Sequence, residues 1–122
     1  IQVGTVAVAE AMVLGAKAGL DPQQMVDVIR QSTGHSVAFE MRAPRYLEGN
    51  FEPGGTVDIT WKDQTLQTDF ANALGVPLFL ANTTRQIFQW ARGLGYNKKD
   101  SSITVRMYEE AAGVKLGPRE DS

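Results

Sequence analysis

The 122-residue chain is long enough for one domain with one hydrophobic core and too short for a large two-domain enzyme. The formal net charge is -2, and charges of both signs are scattered along the chain. The sequence therefore has neither the basic patch of a nucleic-acid-binding protein nor the polybasic run that favours a membrane surface. No cysteine is present, which excludes disulfides and thiolate metal sites within these residues, and the single histidine, His35, gives little basis for zinc. We therefore expect no metal, no nucleic acid and no membrane as partner, and a cytoplasmic protein.

The first segment, IQVGTVAVAEAMVLGAKAGL, is apolar on nearly all sides and predicts a helix that ends at Gly19. Its polar residues are Gln2, Thr5, Glu10 and Lys17. Such a helix is buried or lies against other helices, and the two charges and the early end argue against a membrane span. Glu10 is expected to be buried and to accept backbone hydrogen bonds from a neighbouring element in a structural role, with a catalytic role as the alternative. The abrupt start, without methionine or cap, suggests a helix that begins upstream.

Capping residues predict the next helices. Asp21 is a suitable N-cap and Pro22 a suitable first residue for a helix over about 22–32. Ser36 predicts the start of a short helix that Pro44 bends or limits. The stretch YLEGNFEPGGTV is rich in glycine and proline and predicts a long connection.

The second half of the chain predicts three further helices. ITWKDQTLQTDF belongs to a helix that ends at Gly75, and Pro77 lies near the start of the following helix. Asp100 is the predicted cap of a last helix, SSITVRMYEEAAG, and residues 117–122 are expected to form a frayed tail. No segment shows the alternation of a strand. We predict an all-α bundle of five to six helices.

One helix carries charges beside its apolar residues. At about 100° per residue, Ile59, Asp63, Leu66, Phe70 and Leu74 fall within one sector of that helix. This sector contains the large apolar residues, so we predict that it is the buried stripe. Asp63 is then a carboxylate within a buried face.

The neighbours of Asp63 allow two interpretations. Lys62 and Asp69 share one edge of the stripe, and Trp61 points to the opposite, exposed side. Asp58 precedes Lys62 by four residues, which favours a salt-bridged rim. Alternatively, the edge borders a cleft in which Lys62 binds an anionic ligand and Asp63 fixes its geometry, while Trp61 contacts another subunit or domain. Spacing alone leaves both open.

Five motifs occur in a specific order: EAMVLGAKAGLDPQQMVDVI, GNFEPGG, WKDQTLQTD, GVPLFLA and GLGYNKKDSS. Together they resemble the C-terminal helical domain of the β-hydroxyacid dehydrogenases, which include 3-hydroxyisobutyrate dehydrogenase, tartronate semialdehyde reductase and 6-phosphogluconate dehydrogenase-like enzymes. The resemblance covers residues 1–116 and implies the 6-phosphogluconate dehydrogenase C-terminal-domain-like fold. It also implies a missing N-terminal Rossmann domain that binds NAD or NADP, and assembly as a homodimer or homotetramer.

The same resemblance assigns roles to the charged pair. The K-D-L motif of the family matches Lys62 and Asp63, and implies that Lys62 reaches the cofactor and Asp63 lies beside the hydroxyacid substrate. Asp69 matches a recurrent acidic position with a structural role. Two departures imply a wider or differently lined substrate pocket: Gln64 replaces the usual apolar residue, and Gly55 stands where many members have phenylalanine.

The catalytic lysine of the family lies in a K-x-x-N pattern near the start of the first helix, and Lys17 comes too late to match it. No catalytic residue is therefore assigned to this chain, which we expect to be inactive alone. The resemblance implies the cleft-forming and oligomerisation domain of an NAD(P)-dependent oxidoreductase that interconverts a small hydroxyacid and its oxo or semialdehyde form. The alternative is a non-catalytic helical dimerisation or interaction module.

Overall fold

The computed structural model describes residues 1–118, which form six α-helices and one short 3₁₀ turn and contain no β-strand. The helices are α1 (Gln2–Lys17), α2 (Pro22–Arg30), α3 (Val37–Glu48), α4 (Val57–Leu74), α5 (Phe79–Gly93) and α6 (Thr104–Ala112). The 3₁₀ turn, Ser101–Ile103, leads into α6. The predicted all-α bundle is confirmed. None of the helices in this part of the chain is long and apolar enough to cross a bilayer.

The predicted N-caps are in place. The side chains of Asp21, Ser36 and Asp100 each accept a hydrogen bond from a backbone N–H two or three residues further on. Asp100 caps the 3₁₀ turn before α6 rather than α6 itself. Of the two effects predicted for Pro44, a bend or a limit, the limit is wrong, because α3 continues past Pro44 to Glu48. Proline within a helix removes one backbone hydrogen bond and crowds the carbonyl four residues earlier, and the burial of Ala43 and Tyr46 beside it offsets this cost.

The first helix, α1, is the centre of the bundle and packs against α2, α3, α5 and α6. Ala9 and Met12 are fully buried in one cluster with Phe39 and Tyr46 of α3. A second cluster joins α1, α4, α5, the 3₁₀ turn and α6, and contains Val6, Val57, Phe88, Ala91, Ile103 and Met107. Contact on several sides explains why α1 is apolar nearly all round.

Glu10 lies on an exposed side of α1, so the expectation that it is buried is wrong. Its Oε2 atom accepts a hydrogen bond from the hydroxyl of Tyr108 on α6, at 2.6 Å. Burial of Tyr108 and this hydrogen bond both raise the pKa of the Tyr108 hydroxyl, which therefore stays protonated. This hydrogen bond connects α1 with α6, which agrees with a structural role for Glu10.

The chain beyond α6 packs back onto α3. Leu116 is 4% exposed, and its N–H donates to Oε2 of Glu109 at 2.6 Å. A Cβ atom at Gly117 would lie 1.8 Å from the carbonyl oxygen of Leu47, so the backbone approach requires glycine. Gly117 is packed, contrary to the expected fraying of the tail, and residues 119–122 lie outside the described residues.

Candidate functional site

The helix α4 turns its small and polar residues inward. Its buried residues are Val57, Thr60, Gln64, Thr68 and Ala71. Ile59, Leu66, Phe70 and Leu74 are instead between 51% and 68% exposed, so the predicted buried stripe is wrong. The sector with the larger apolar residues faces outward because the contacts with α5 and the rest of the bundle use the opposite side of α4.

Lys62 and Asp63 lie side by side on the exposed surface of α4. Their side chains are 63% and 47% exposed, and Nζ of Lys62 lies 3.8 Å from Oδ1 of Asp63. The predicted ion pair between Asp58 and Lys62 does not form. An exposed pair at this separation contributes little to stability. The exposed fractions leave both charges accessible to solvent in this part of the chain.

Asp58 instead connects the first turn of α4 to the end of α5. Its Oδ1 atom accepts hydrogen bonds from Nε of Arg92 at 2.9 Å and from Nδ2 of Asn97 at 3.0 Å. The ammonium of Lys98 lies 3.8 Å from Oδ2. The hydrogen bond from Arg92 is the main cause of the lowered pKa of Asp58 and outweighs desolvation. The salt-bridged rim therefore exists, but it is formed with α5.

Trp61 is half-buried and packs against the second hydrophobic cluster, so the expectation that it points to an exposed side of α4 is wrong. The guanidinium carbon of Arg92 lies 4.0 Å from the centroid of its ring, which is cation–π geometry. Arg92 thus contacts both Trp61 and Asp58. These contacts fix the turn of α4 that presents Lys62.

The loop over 49–56, which precedes α4, is held by a completely buried carboxylate. Oδ1 of Asp100 accepts the N–H groups of Gly54 and Gly55 at 2.9 and 3.1 Å, and Oδ2 lies 3.2 Å from Nη1 of Arg42. Burial alone would raise the pKa of Asp100, but hydrogen bonds from Ser102, Gly54 and Gly55 outweigh it, and the pKa is lowered. Sequence reasoning identified Asp100 only as a cap, and missed its contacts with distant residues.

The two departures from the family motif lie in different surroundings. Gln64 is 1% exposed and lies in the domain interior, so it does not line a cleft with Lys62 and Asp63. Its Oε1 atom has no hydrogen-bond partner. A Cβ atom at Gly55 would have no neighbouring atom within 4 Å, so the space that a side chain would occupy at this position is open. Gly55 is therefore the departure that could widen a substrate pocket.

The described residues contain no group of three His, Cys, Asp or Glu side chains that could hold a metal ion. His35 lies in the connection between α2 and α3, where its Nε2 atom is 3.3 Å from Oε1 of Glu40. The same oxygen accepts a hydrogen bond from Nε of Arg30 at 2.9 Å. These contacts connect α2 with α3 and account for His35 without a ligand.

Residues 1–108 match the family described as "NAD-binding of NADP-dependent 3-hydroxyisobutyrate dehydrogenase". The chain belongs to this family. The resemblance found in the five ordered motifs is confirmed, and the family description places NAD binding in this helical domain.

The chain is similar to several proteins that are named as dehydrogenases. L-threonate dehydrogenase of Escherichia coli K12 is 40% identical over 88% of this chain and 35% of its own length. 2-(Hydroxymethyl)glutarate dehydrogenase of Eubacterium barkeri is 34% identical over 88% of this chain and 36% of its length. The crystal structure of 3-hydroxyisobutyrate dehydrogenase from Salmonella typhimurium is similar with a TM-score of 0.83 and 40% identity, over 87% of this chain and 37% of that one. The chain thus spans little more than a third of these relatives.

Proposed function

We propose that this chain forms the C-terminal side of the cofactor and substrate cleft in an NAD(P)-dependent oxidoreductase. The enzyme would interconvert a small hydroxyacid and its oxo or semialdehyde form. The observation that carries the proposal is the exposed pair of Lys62 and Asp63 on a fixed turn of α4, in a chain that belongs to a dehydrogenase family. The alternative of a non-catalytic module is not favoured, because the relatives named above are dehydrogenases.

The chemistry of Lys62 suits an NAD or NADP molecule, which is an anion. Its ammonium is exposed, and the contacts of Asp58 and Trp61 with Arg92 hold the backbone beside it. In the proposal, Lys62 binds and orients the cofactor, and Asp63 accepts a hydrogen bond from a substrate hydroxyl. The bound cofactor supplies the hydride exchange.

The reaction needs further parts that the described residues do not contain. A Rossmann domain includes a parallel sheet, whereas residues 1–118 are helical. We therefore propose a longer protein that supplies this domain and the proton-transferring lysine, and we expect the 122 residues alone to be inactive. We propose also that the helical domain pairs subunits in a homodimer or homotetramer.

Replacing Lys62 by alanine in the full-length protein should raise the KM for the cofactor about tenfold or more. A hydrogen bond to a charged group contributes about 1.5–3 kcal/mol, and 1.4 kcal/mol is tenfold in affinity. Because the side chain is 63% exposed, thermal stability should not change. Initial rates at varied cofactor concentration measure the effect, and Lys17→Ala, at an exposed lysine of α1, is the control. An unchanged cofactor KM would contradict the proposed contact between Lys62 and the cofactor.

Replacing Asp63 by asparagine should instead raise the KM for the hydroxyacid about tenfold and affect the cofactor KM less, since the proposed contact is with the substrate. L-threonate and 3-hydroxyisobutyrate are the first substrates to assay. Asp69→Asn is the matched control, because Asp69 is an exposed carboxylate on the same helix. Equal effects of the two substitutions would contradict the role of Asp63.

A further inference from the structure

Arg85 of α5 differs from the other arginines of residues 1–118, because it has no carboxylate partner among these residues. Each of the others lies within 3.6 Å of a carboxylate oxygen; they are Arg30, Arg42, Arg45, Arg92 and Arg106. Arg85 is only partly exposed, and its Nε atom is buried without a hydrogen-bond partner. A buried donor without an acceptor and a partly buried charge without a counter-charge both cost free energy. Arg85 is therefore expected to bind an acceptor that residues 1–118 do not supply.

A second polar atom without a partner lies on the helix that faces Arg85. The helices α4 and α5 pack against each other and are joined by the short connection over 75–78, so they run antiparallel. Arg92 of α5 lies 2.9 Å from Asp58 of α4. Seven residues return to nearly the same side of a helix, so Arg85 and Thr65 are the next facing positions along the pair. Oγ1 of Thr65 is buried and has no hydrogen-bond partner in the described part of the chain.

We propose that Arg85 and Thr65 together bind an oxyanion, either a phosphate of the cofactor or the carboxylate of the hydroxyacid. A guanidinium presents its N–H groups in a planar fork that matches both kinds of oxyanion. The hydroxyl of Thr65 can donate a further hydrogen bond to the same group. Neither Nε of Arg85 nor Oγ1 of Thr65 is hydrogen-bonded to the other, so both are available to one ligand.

The position of this oxyanion site agrees with the proposed cleft. Thr65 follows Lys62 by three residues on α4, and residues at this spacing are neighbours on the surface of a helix. A reactant that contacts Lys62 can therefore extend to Arg85. Asp69, four residues beyond Thr65, is exposed and forms no ion pair within residues 1–118, so it does not neutralise Arg85. The inference rests on the proposed function for the source of the oxyanion, whereas the site itself is testable without turnover.

Arg85→Gln in the full-length protein tests the site through initial rates. It should raise the KM of one reactant about tenfold or more, the effect of losing a hydrogen bond between charged groups. A raised cofactor KM identifies the phosphate as the ligand, and a raised hydroxyacid KM identifies the carboxylate. Thr65→Val should raise the same KM about fivefold, because a hydrogen bond from a neutral hydroxyl contributes less. Arg30→Gln and Thr83→Val, at exposed positions of α2 and α5, are the matched controls.

Two results of these assays would overturn the proposal. One is an unchanged KM for both reactants in Arg85→Gln, even if Lys62→Ala raises the cofactor KM as expected. The other is that Arg85→Gln and Thr65→Val raise the KM of different reactants, which excludes a shared ligand. If Arg85→Gln does not fold, Arg85→Lys takes its place, because lysine keeps the charge but lacks the fork. Arg85→Lys should raise the same KM by a smaller factor, and no rise would count against the site.

Thermal unfolding of the full-length protein distinguishes a ligand site from an ion pair with another part of the protein. Without cofactor, hydroxyacid or phosphate, Arg85→Gln should not lower the Tm, because Arg85 then has no partner to lose. Inorganic phosphate, compared with chloride at equal ionic strength, should raise the Tm of the wild type more than that of Arg85→Gln. A lower Tm of Arg85→Gln without these anions would show that Arg85 already pairs with a carboxylate, and the proposal would fail. An equal effect of phosphate on both proteins would also contradict it. These measurements need no turnover, so they test the site even if Lys62→Ala leaves the cofactor KM unchanged.

Discussion

Replacing Asp100 by asparagine should lower the free energy of unfolding by about 3–5 kcal/mol, the usual cost of removing one partner from a buried ion pair. Asp100 is fully buried, and its carboxylate contacts Arg42 and the N–H groups of Gly54 and Gly55. An amide in its place carries no charge and turns two hydrogens toward groups that are themselves donors. The guanidinium of Arg42 is then left buried without its counter-charge.

Urea unfolding of the full-length protein, monitored by circular dichroism, measures this loss. Asp27→Asn is the control, because Asp27 is 60% exposed and lies 4.0 Å from Arg30, a geometry that contributes little to stability. If Asp100→Asn lowers the free energy of unfolding by less than about 1 kcal/mol, the charge of Asp100 is not what stabilises the buried network.

The pH dependence of the same variant follows from the sign of the pKa shift. Because hydrogen bonds lower the pKa of Asp100 in the folded state, the folded protein holds the ionised form more strongly than the unfolded chain does. This stabilisation is fully present above the unfolded pKa of about 4 and is lost as the pH falls through the lower folded pKa. The free energy of unfolding of the wild-type protein should therefore decrease as the pH falls below about 4. The decrease should be smaller for Asp100→Asn, because the variant has no carboxylate at position 100 to protonate.

Replacing Gln64 by leucine should raise the free energy of unfolding by about 1–3 kcal/mol, the cost of a buried polar group that has no hydrogen-bond partner. Gln64 is 1% exposed, and its Oε1 atom has no partner. Leucine has a favourable helix propensity and no polar side-chain atom, so the change removes the buried amide and keeps the helix.

Gln67→Leu is the matched control for this prediction, because Gln67 is exposed on the same helix and its replacement should change stability by less than about 0.5 kcal/mol. Both variants are measured by urea unfolding at equal protein concentration, which keeps any self-association constant. A lower stability of Gln64→Leu would mean that the buried amide has a partner in the complete protein.

The helices and their starts could be predicted from the sequence because they depend on local interactions. Asp21 and Ser36 accept hydrogen bonds from N–H groups three residues away, so their role is contained within four consecutive residues. The left-handed conformation at Gly75, with φ of 72°, likewise ends α4 where a glycine was available to adopt it. The five ordered motifs together indicated the family, whereas the sequence of any one helix would not have been specific enough.

The orientation of α4 could not be predicted in this way. Periodicity shows that Leu66, Phe70 and Leu74 share one side, but it does not show whether the surface that covers them belongs to the same chain. Within the described residues, α4 packs through Thr60, Thr68 and other residues of its opposite side. A sequence pattern shows which residues share a side of a helix, and tertiary packing decides which side is buried.

The candidate site shows the same limit. Lys62 and Asp63 were identified through the family motif, and the structure places both on the exposed side of α4. The contacts that position them were missed, because Asp58 binds Arg92, 34 residues away, rather than a neighbour on its own helix. The mistaken exposure of Trp61 has the same origin, since it also contacts Arg92.

The hydrogen bonds from Gly54 and Gly55 to Asp100 have a consequence for the order of folding. Asp100 follows Gly55 by 45 residues, and α4 and α5 occupy most of the intervening chain. The pairing of these two consecutive helices needs only contacts between near neighbours in sequence, whereas the glycines need the ends of the whole segment to meet. During synthesis the glycine N–H groups must remain hydrated until Asp100 emerges. We therefore expect the loop before α4 to be synthesised early and to reach its final shape late.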